Sequence, residues 1–371
     1  WGFKDTTDRN GCAEKDNAPL RDLLKDITTT IRQVDKKHII FIEGNCWANN
    51  YSGIFPLWDD NMVISFHKYW NHTTKASIQN FLDYRNTYNV PVWMGETGEN
   101  SNAWFTDVVS LLETNKIGWA MWPLKKSGLN NPLQVRIDAG MQQVLDYWDG
   151  KAPRPTATEA FKSLMQFAGN TNAKNNIVHR DVADAMTRQV RSADPLPFKT
   201  NIIIDKTILF AADYDIGRSG VAYHDTDSAE YWVSTNVRTP WNSGFQYRND
   251  GVDIEQCKDA VTNGYNVGWI QTGEWLQYSI YCAEDGSYDI NIRTAAKENG
   301  GQLKLLINDA TASDDIVLPQ TGATQTWKTN TIKDIKLTKG WNRLRVLATK
   351  GGFNLNYLQF MAAGNTIKTN L

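Results

Sequence analysis

The sequence predicts two domains of different class, parallel βα units in the first half and an antiparallel β-sandwich or jelly roll in the second. Three observations predict it. At 371 residues the chain exceeds the usual size of a single core. Up to about residue 195, short apolar runs alternate with amphipathic stretches. Beyond residue 200 the pattern becomes period-two alternation punctuated by Gly and Asn.

In chain order, Leu20 to Val34 reads as a helix. HIIFIEG (38–44), MVISFHKY (62–69), VPVWMGET (90–97) and IGWAMWPL (117–124) each have the length of a buried strand. TKASIQNFLDYRNTY and SNAWFTDVVSLLETN lie between the later runs and carry apolar residues at helical spacing, so the segment is read as parallel βα units. Further helices are expected over 131–148 and 156–168, separated by the Pro-rich break APRPTAT, and over 177–191. The Pro-containing ADPLPF closes this domain. The expected division is therefore 1–195 for the first domain, 196–206 for a linker, 207–363 for the sandwich and 364–371 for a polar tail. EWLQYSIYC, SYDINIRTAA, GQLKLLIND, WNRLRVLAT and NLNYLQFMA are the sandwich strands, with no helical stretch between them.

Composition removes several function classes. Lys and Arg total 39 against 41 Asp and Glu, and no strongly basic run occurs, so nucleic acid is not an expected partner. No apolar stretch approaches the roughly 20 residues that cross a bilayer, and nothing resembling a signal peptide precedes Trp1. The chain starts on Trp-Gly-Phe without Met, which suggests processing or loss of an upstream segment. Cys12, Cys46, Cys257 and Cys282 form no CxxC pair and have no His at zinc spacing, so no metal and no cofactor are expected. Two cysteines fall in each half, which favours Cys12–Cys46 and Cys257–Cys282 if the compartment is oxidising. The 15 Trp, 14 Tyr and 13 Phe supply flat apolar faces that suit sugar rings, but they suit cores equally.

Reactive groups in a βα architecture sit where strands end, because the loops after the strands line one mouth. The third run ends in Gly95-Glu96-Thr97-Gly98 and the second in His67-Lys68-Tyr69-Trp70. The first ends in Glu43-Gly44-Asn45-Cys46-Trp47, and the fourth in Trp119-Ala120-Met121-Trp122. A carboxylate that attacks an anomeric carbon must be ionised and held still. His67 and Tyr69, one strand over from Glu96, are placed to donate to it, and Trp122 is placed as the floor under the sugar.

VPVWMGETGE, the HKY at the preceding strand end and the GWAMW on the next strand resemble glycoside hydrolase family five. The resemblance implies a (β/α)8 TIM barrel, of which this sequence shows only the last four βα units, hydrolysing a β-linked polysaccharide with retention. It assigns Glu96 as nucleophile, His67 and Tyr69 as its partners, and Trp122 with Trp47 as substrate-binding residues. The family's acid/base is the Glu of an Asn-Glu-Pro motif that this sequence lacks. WGFKDTTDRNGCAEKD resembles the stretch immediately C-terminal to that motif, so the acid/base and the first barrel half are expected upstream of Trp1. Glu43 also ends a strand and is the local alternative for the acid, although with Trp47 it is expected to shape the cleft. Glu99 and Asn100 either border the sugar site or start the next helix.

ADYDIGRSGVAYHDTD, GVDIEQC, YNVGWIQTGEWLQYSI, GSYDINIRTA, LPQTGATQTWKT and FNLNYLQF resemble, in order, carbohydrate-binding module family six. By that resemblance Trp269 and Trp327 clamp a sugar, and Asn356 and Glu255 anchor its hydroxyls, with Asn354 the neighbour that could be confused with Asn356. The family's calcium-binding Glu-Ala-Glu is replaced by Phe210-Ala211-Ala212, which removes two oxygen ligands. The combination implies an extracellular endo-β-glycanase, foremost an endo-β-1,4-glucanase, partnered by a β-glucan. A mannanase or β-1,3-glucanase is the enzymatic alternative, and a noncatalytic polysaccharide binder the alternative of another class.

Overall fold

The computed structural model describes residues 8–69, 71–226 and 241–363, so the expected tail over 364–371 lies outside the described residues. The described residues form two compact units. One comprises 8–100 and 107–124; the other comprises 101–106, 125–226 and 241–363. Residues 125–195, grouped by sequence pattern with the βα segment, fall in the second unit.

The first unit is built on a parallel sheet of β1 (Ile40–Glu43), β2 (Met62–Lys68), β3 (Val92–Thr97) and β4 (Gly118–Met121), paired in that order. The four apolar runs thus became four parallel neighbours. β2 is buried at nearly every position, as a strand covered on both faces requires, and its run MVISFHK is correspondingly apolar until the last residues. Helices α1 (Ala18–Val34), α2 (Gln79–Tyr88) and, from residue 107 on, α3 (Asn102–Thr114) accompany the strands. Phe81 of α2 stacks on Phe66 of β2 with ring centroids 3.9 Å apart, and α2 stops at Asn89, which takes the left-handed conformation common at helix ends. Ile27, Ile31 and Val34 of α1, at i, i+4 and i+7, are exposed, as are Ile39 and Phe41 at the β1 edge. An amphipathic helix normally buries such a stripe.

Two irregularities shape the strand ends. β3 carries an extra residue around Gly95 and Glu96 relative to both neighbours, since the register shifts between Phe66 and His67 on one side and between Met94 and Thr97 on the other. A bulge of this kind re-aims side chains next to it. After β1, Cys46, Trp47 and Ala48 have φ of 56°, 50° and 62°, three successive non-glycine residues in the left-handed region. The turn is tied down by the Cys12–Cys46 disulfide, by Cys46 N–H donating to Asn10 O at 2.8 Å, and by paired backbone bonds between Asn45 and Asn50.

The second unit contains a two-sheet sandwich together with the helices and short strands of 125–195. One sheet orders Tyr223–His224, Trp275–Cys282, Gly340–Lys350 and Gln302–Ile307, and the other orders Ile254–Gln256, Tyr265–Val267, Asn354–Ala362, Gly286–Ala295 and Lys328–Leu337. Their inward faces meet in one apolar core that includes Tyr278, Ile280, Ile290, Ile292, Leu303, Leu344, Leu358 and Phe360. The expected helix over 131–148 begins only at Ala139: Asp138 caps it by accepting from Met141 N–H, and Leu133–Gln134 pairs instead with Ile177–Val178. The helix expected over 177–191 is accordingly confined to Arg180–Met186. Cys257 and Cys282 are free thiols, so the second expected disulfide is not formed. Cys282 ends a strand of one sheet, whereas Cys257 follows the Ile254–Gln256 strand of the other. No helix among the described residues is long and apolar enough to cross a membrane.

Candidate functional site

The ends of β1, β2 and β3 bring four ionisable side chains into line. Tyr69 Oη donates to Glu96 Oε2 at 2.6 Å, and His67 Nδ1 lies 3.4 Å from the same oxygen. The other ring nitrogen, Nε2, is 3.0 Å from Glu43 Oε1, which also accepts from Ser65 Oγ at 2.8 Å. Glu96 has partners on one oxygen only among these contacts. A nucleophilic carboxylate needs one oxygen held and the other available.

Hydrogen bonding from His67, with a smaller contribution from Ser65, holds the Glu43 carboxyl below the usual range against the opposing effect of burial. An acid that must deliver a proton near neutral pH needs the reverse shift. Glu43 is therefore unsuited to the acid/base role that its strand-end position suggested. Burial, reinforced by the Glu96 carboxylate, pushes the Tyr69 hydroxyl well above its ordinary value, so Tyr69 remains a donor.

Glu96, His67, Tyr69 and Trp47 line one cleft of about 160 Å³, together with Asn49, Lys68 and Asn71. Trp47 projects from the left-handed turn with 63% of its surface exposed. Trp122 follows β4 with an exposed indole, its backbone N–H donating to Thr97 O at 2.8 Å, but it is not among the residues lining that cleft. Gly98 permits this approach, since a Cβ there would fall 1.8 Å from Trp122 O. Asn100 is fully buried and donates to Tyr69 O at 2.9 Å, so it fastens the loop bearing Tyr69 rather than facing a sugar.

Lys68 also lines this cleft and was not singled out by the sequence. It is 2% exposed, and its ammonium donates to the side chains of Asn71 and Ser77 and to His72 O. Burial pushes its pKa down to about 7. The signal was a lysine ending an otherwise apolar strand.

The sandwich carries a second cleft, of about 500 Å³, lined by Trp269, Glu255, Asn354, Asp253, Lys297 and Thr324 among others. Trp269 sits at φ 50° with half its surface exposed. Glu255 Oε1 accepts from Asn354 Nδ2 and Gln325 Nε2, each at 2.6 Å. Asn356, the expected anchor, is instead fully buried and donates to Asp259 Oδ2 and Val261 O, both at 2.9 Å. Asn354, two residues earlier, lines the cleft instead. Trp327 is half-buried and not among the lining residues; its indole N–H is buried without a partner among the described residues.

Comparison with known proteins finds two family matches in the chain. Residues 4–128 match the family model "Cellulase (glycosyl hydrolase family 5)", and residues 244–362 match "Carbohydrate binding module (family 6)". Among solved structures, the chain is similar to a carbohydrate-binding module from Cellvibrio mixtus lichenase 5A in complex with cellotriose. The identity is 31%, over 31% of this chain and 88% of that one, with a TM-score of 0.28. It is also similar to the C-terminal family 6 module of LamC, a laminarinase from Zobellia galactanivorans, at 26% identity over 30% and 87% of the two chains and a TM-score of 0.27. A β-1,3-glucan-binding module from Bacillus halodurans is 21% identical over 44% of this chain and all of its own, with a TM-score of 0.31.

Proposed function

For a chain that joins a segment of glycosyl hydrolase family 5 to a family 6 carbohydrate-binding module, we propose the function of a retaining endo-β-glycanase acting on β-1,4-glucan. In this reading Glu96 attacks the anomeric carbon, and Tyr69 and His67 hold its other oxygen. Trp47 and Trp122 stack on the sugars flanking the bond. The observation that carries the reading is the convergence of Tyr69 Oη and His67 Nδ1 on Oε2 of Glu96. Retention needs a second carboxyl roughly 5–5.5 Å from the nucleophile to donate and then accept a proton. Glu43, held in its ionised form, does not suit that task.

The acid/base belongs, in this proposal, to an upstream half that completes a (β/α)8 barrel. The uncovered apolar stripe of α1 and the uncovered β1 edge support it, because both are surfaces that a further βα unit would bury. The division into a hydrolase half ending near residue 195 and a module from 207 is part of the same reading. Trp269, Glu255 and Asn354 form the module's sugar site, with Trp327 as the second clamp. Secretion accords with the Cys12–Cys46 disulfide, which an oxidising compartment favours. The test is Glu96→Gln in the full-length protein: hydrolysis of soluble β-glucan should be lost while binding to insoluble polysaccharide persists, and retained hydrolysis would sink the assignment.

A further inference from the structure

We propose that Glu43 is a positioning residue of this site, holding the His67 ring so that Nδ1 faces Glu96. The inference rests on Glu96 being the nucleophile and assigns a role to a residue outside the nucleophile's own contacts. Its ground is an unequal pair of distances. His67 Nδ1 stands 3.4 Å from Glu96 Oε2, a long contact that orients a ring only weakly, whereas Nε2 stands 3.0 Å from Glu43 Oε1, an ordinary hydrogen bond. The ring is thus fixed from the Glu43 side. Its side chain is only 10% exposed, so little water competes for either nitrogen.

Proton placement follows from the same contact. An imidazole carrying one proton donates to one carboxylate only, and one carrying two donates to both. The Glu43 carboxylate can only accept, so with Nε2–H donated to it Nδ1 carries a proton toward Glu96 only when the ring holds two. Ser65 Oγ, donating to the same Oε1 at 2.8 Å, fixes the carboxylate in turn.

Gly95 supplies an independent observation. Its backbone needs no left-handed conformation, yet a Cβ built there would fall 2.2 Å from Ser65 Oγ and 3.0 Å from Glu43 Oε1, with His67 Nε2 at 3.6 Å. All three atoms belong to the relay. The residue before the nucleophile is therefore bare because the Ser65, Glu43 and His67 contacts occupy the space its side chain would take, and the β3 bulge sets it at that spot.

The experiment compares Glu43→Gln, Glu43→Asp and Gly95→Ala with Glu96→Gln in the full-length protein, on soluble β-glucan, with imidazole ¹⁵N shifts of His67 as a second readout. Glu43→Gln should lower kcat on the order of 10²-fold, the scale of a misplaced catalytic contact, with KM nearly unchanged. It should also alter the His67 ¹⁵N pattern. Glu43→Asp, which keeps the charge, should recover part of kcat; no recovery would mark a merely structural role and overturn the proposal. Wild-type kcat and an unaltered ¹⁵N pattern in Glu43→Gln would overturn it as well. Should that variant not fold, Gly95→Ala tests the same relay: reduced kcat at constant KM supports it, and wild-type kcat contradicts it. Hydrolysis surviving in Glu96→Gln would instead remove the nucleophile reading, a separate outcome.

Discussion

Tyr69 Oη stands 2.6 Å from Oε2 of Glu96, and it reaches that oxygen from the end of the neighbouring strand. Because β2 and β3 are parallel and the β3 bulge falls between Met94 and Thr97, residues 27 positions apart meet at one mouth. Burial and the adjacent carboxylate both keep the phenol protonated. Tyr69→Phe removes the donor while keeping the ring. It should lower kcat/KM by about 10²-fold, the usual cost of one preorganised donor. Steady-state kinetics on soluble β-glucan check this, and the thermal midpoint should stay within a few degrees.

Lys68 gives a stability prediction with a definite sign. Its folded pKa of about 7 lies below the value near 10.4 of an unfolded lysine. Between those values the unfolded chain binds more protons than the folded one, so the Lys68 contribution to stability rises with pH from about 7 to about 10, by up to roughly 1.4 kcal/mol per pH unit. Below pH 7 both states are protonated and the slope vanishes. Lys68→Met should flatten the rise; urea denaturation at pH 7 and pH 9.5 measures it, and an unchanged slope would contradict it.

The strand framework was legible because each buried parallel strand is a short apolar run with a polar end, and the candidate nucleophile stood at such an end. His67 and Tyr69 were legible for the same reason. The contacts of Ser65 and Glu43 with His67, and the space Gly95 leaves for them, were not, since they depend on a bulge that alternation cannot reveal. Asn354 and Asn356 flank a register shift in their strand, so period-two counting could not tell them apart. What separates them is that Asn354 meets Glu255 at the strand's start, while Asn356 lies at the register shift and donates to Asp259. The helix expected over 131–148 is cut short by Asn130-Asn131-Pro132 and the Asp138 cap, local signals that outweigh the apolar spacing.

The two asparagines should behave oppositely. Asn354→Ala removes a side chain from the cleft and should weaken polysaccharide binding by the module with little loss of stability. Asn356→Ala leaves Val261 O without its donor and should cost about 1–3 kcal/mol of stability with binding retained. Affinity electrophoresis and urea denaturation of both variants decide it; the reverse assignment would restore Asn356 as the anchor.

The Cys12–Cys46 bridge closes a loop with a sequence separation of 34 and pins the turn that presents Trp47. Replacing both cysteines with serine should cost about 3–4 kcal/mol, the scale for a loop of that length. It should also raise KM through release of the Trp47 turn. Alkylation of the denatured, unreduced protein should label Cys257 and Cys282 and leave Cys12 and Cys46 unlabelled.

The most direct test of the central claim is covalent trapping. Incubating the full-length protein with a 2-deoxy-2-fluoro β-cellobioside bearing a good leaving group should accumulate a glycosyl-enzyme, because retaining hydrolysis passes through such an intermediate. Peptide mapping by mass spectrometry should place the added sugar on Glu96. A label on any other residue, or turnover of β-glucan with no covalent intermediate under trapping conditions, would contradict the account.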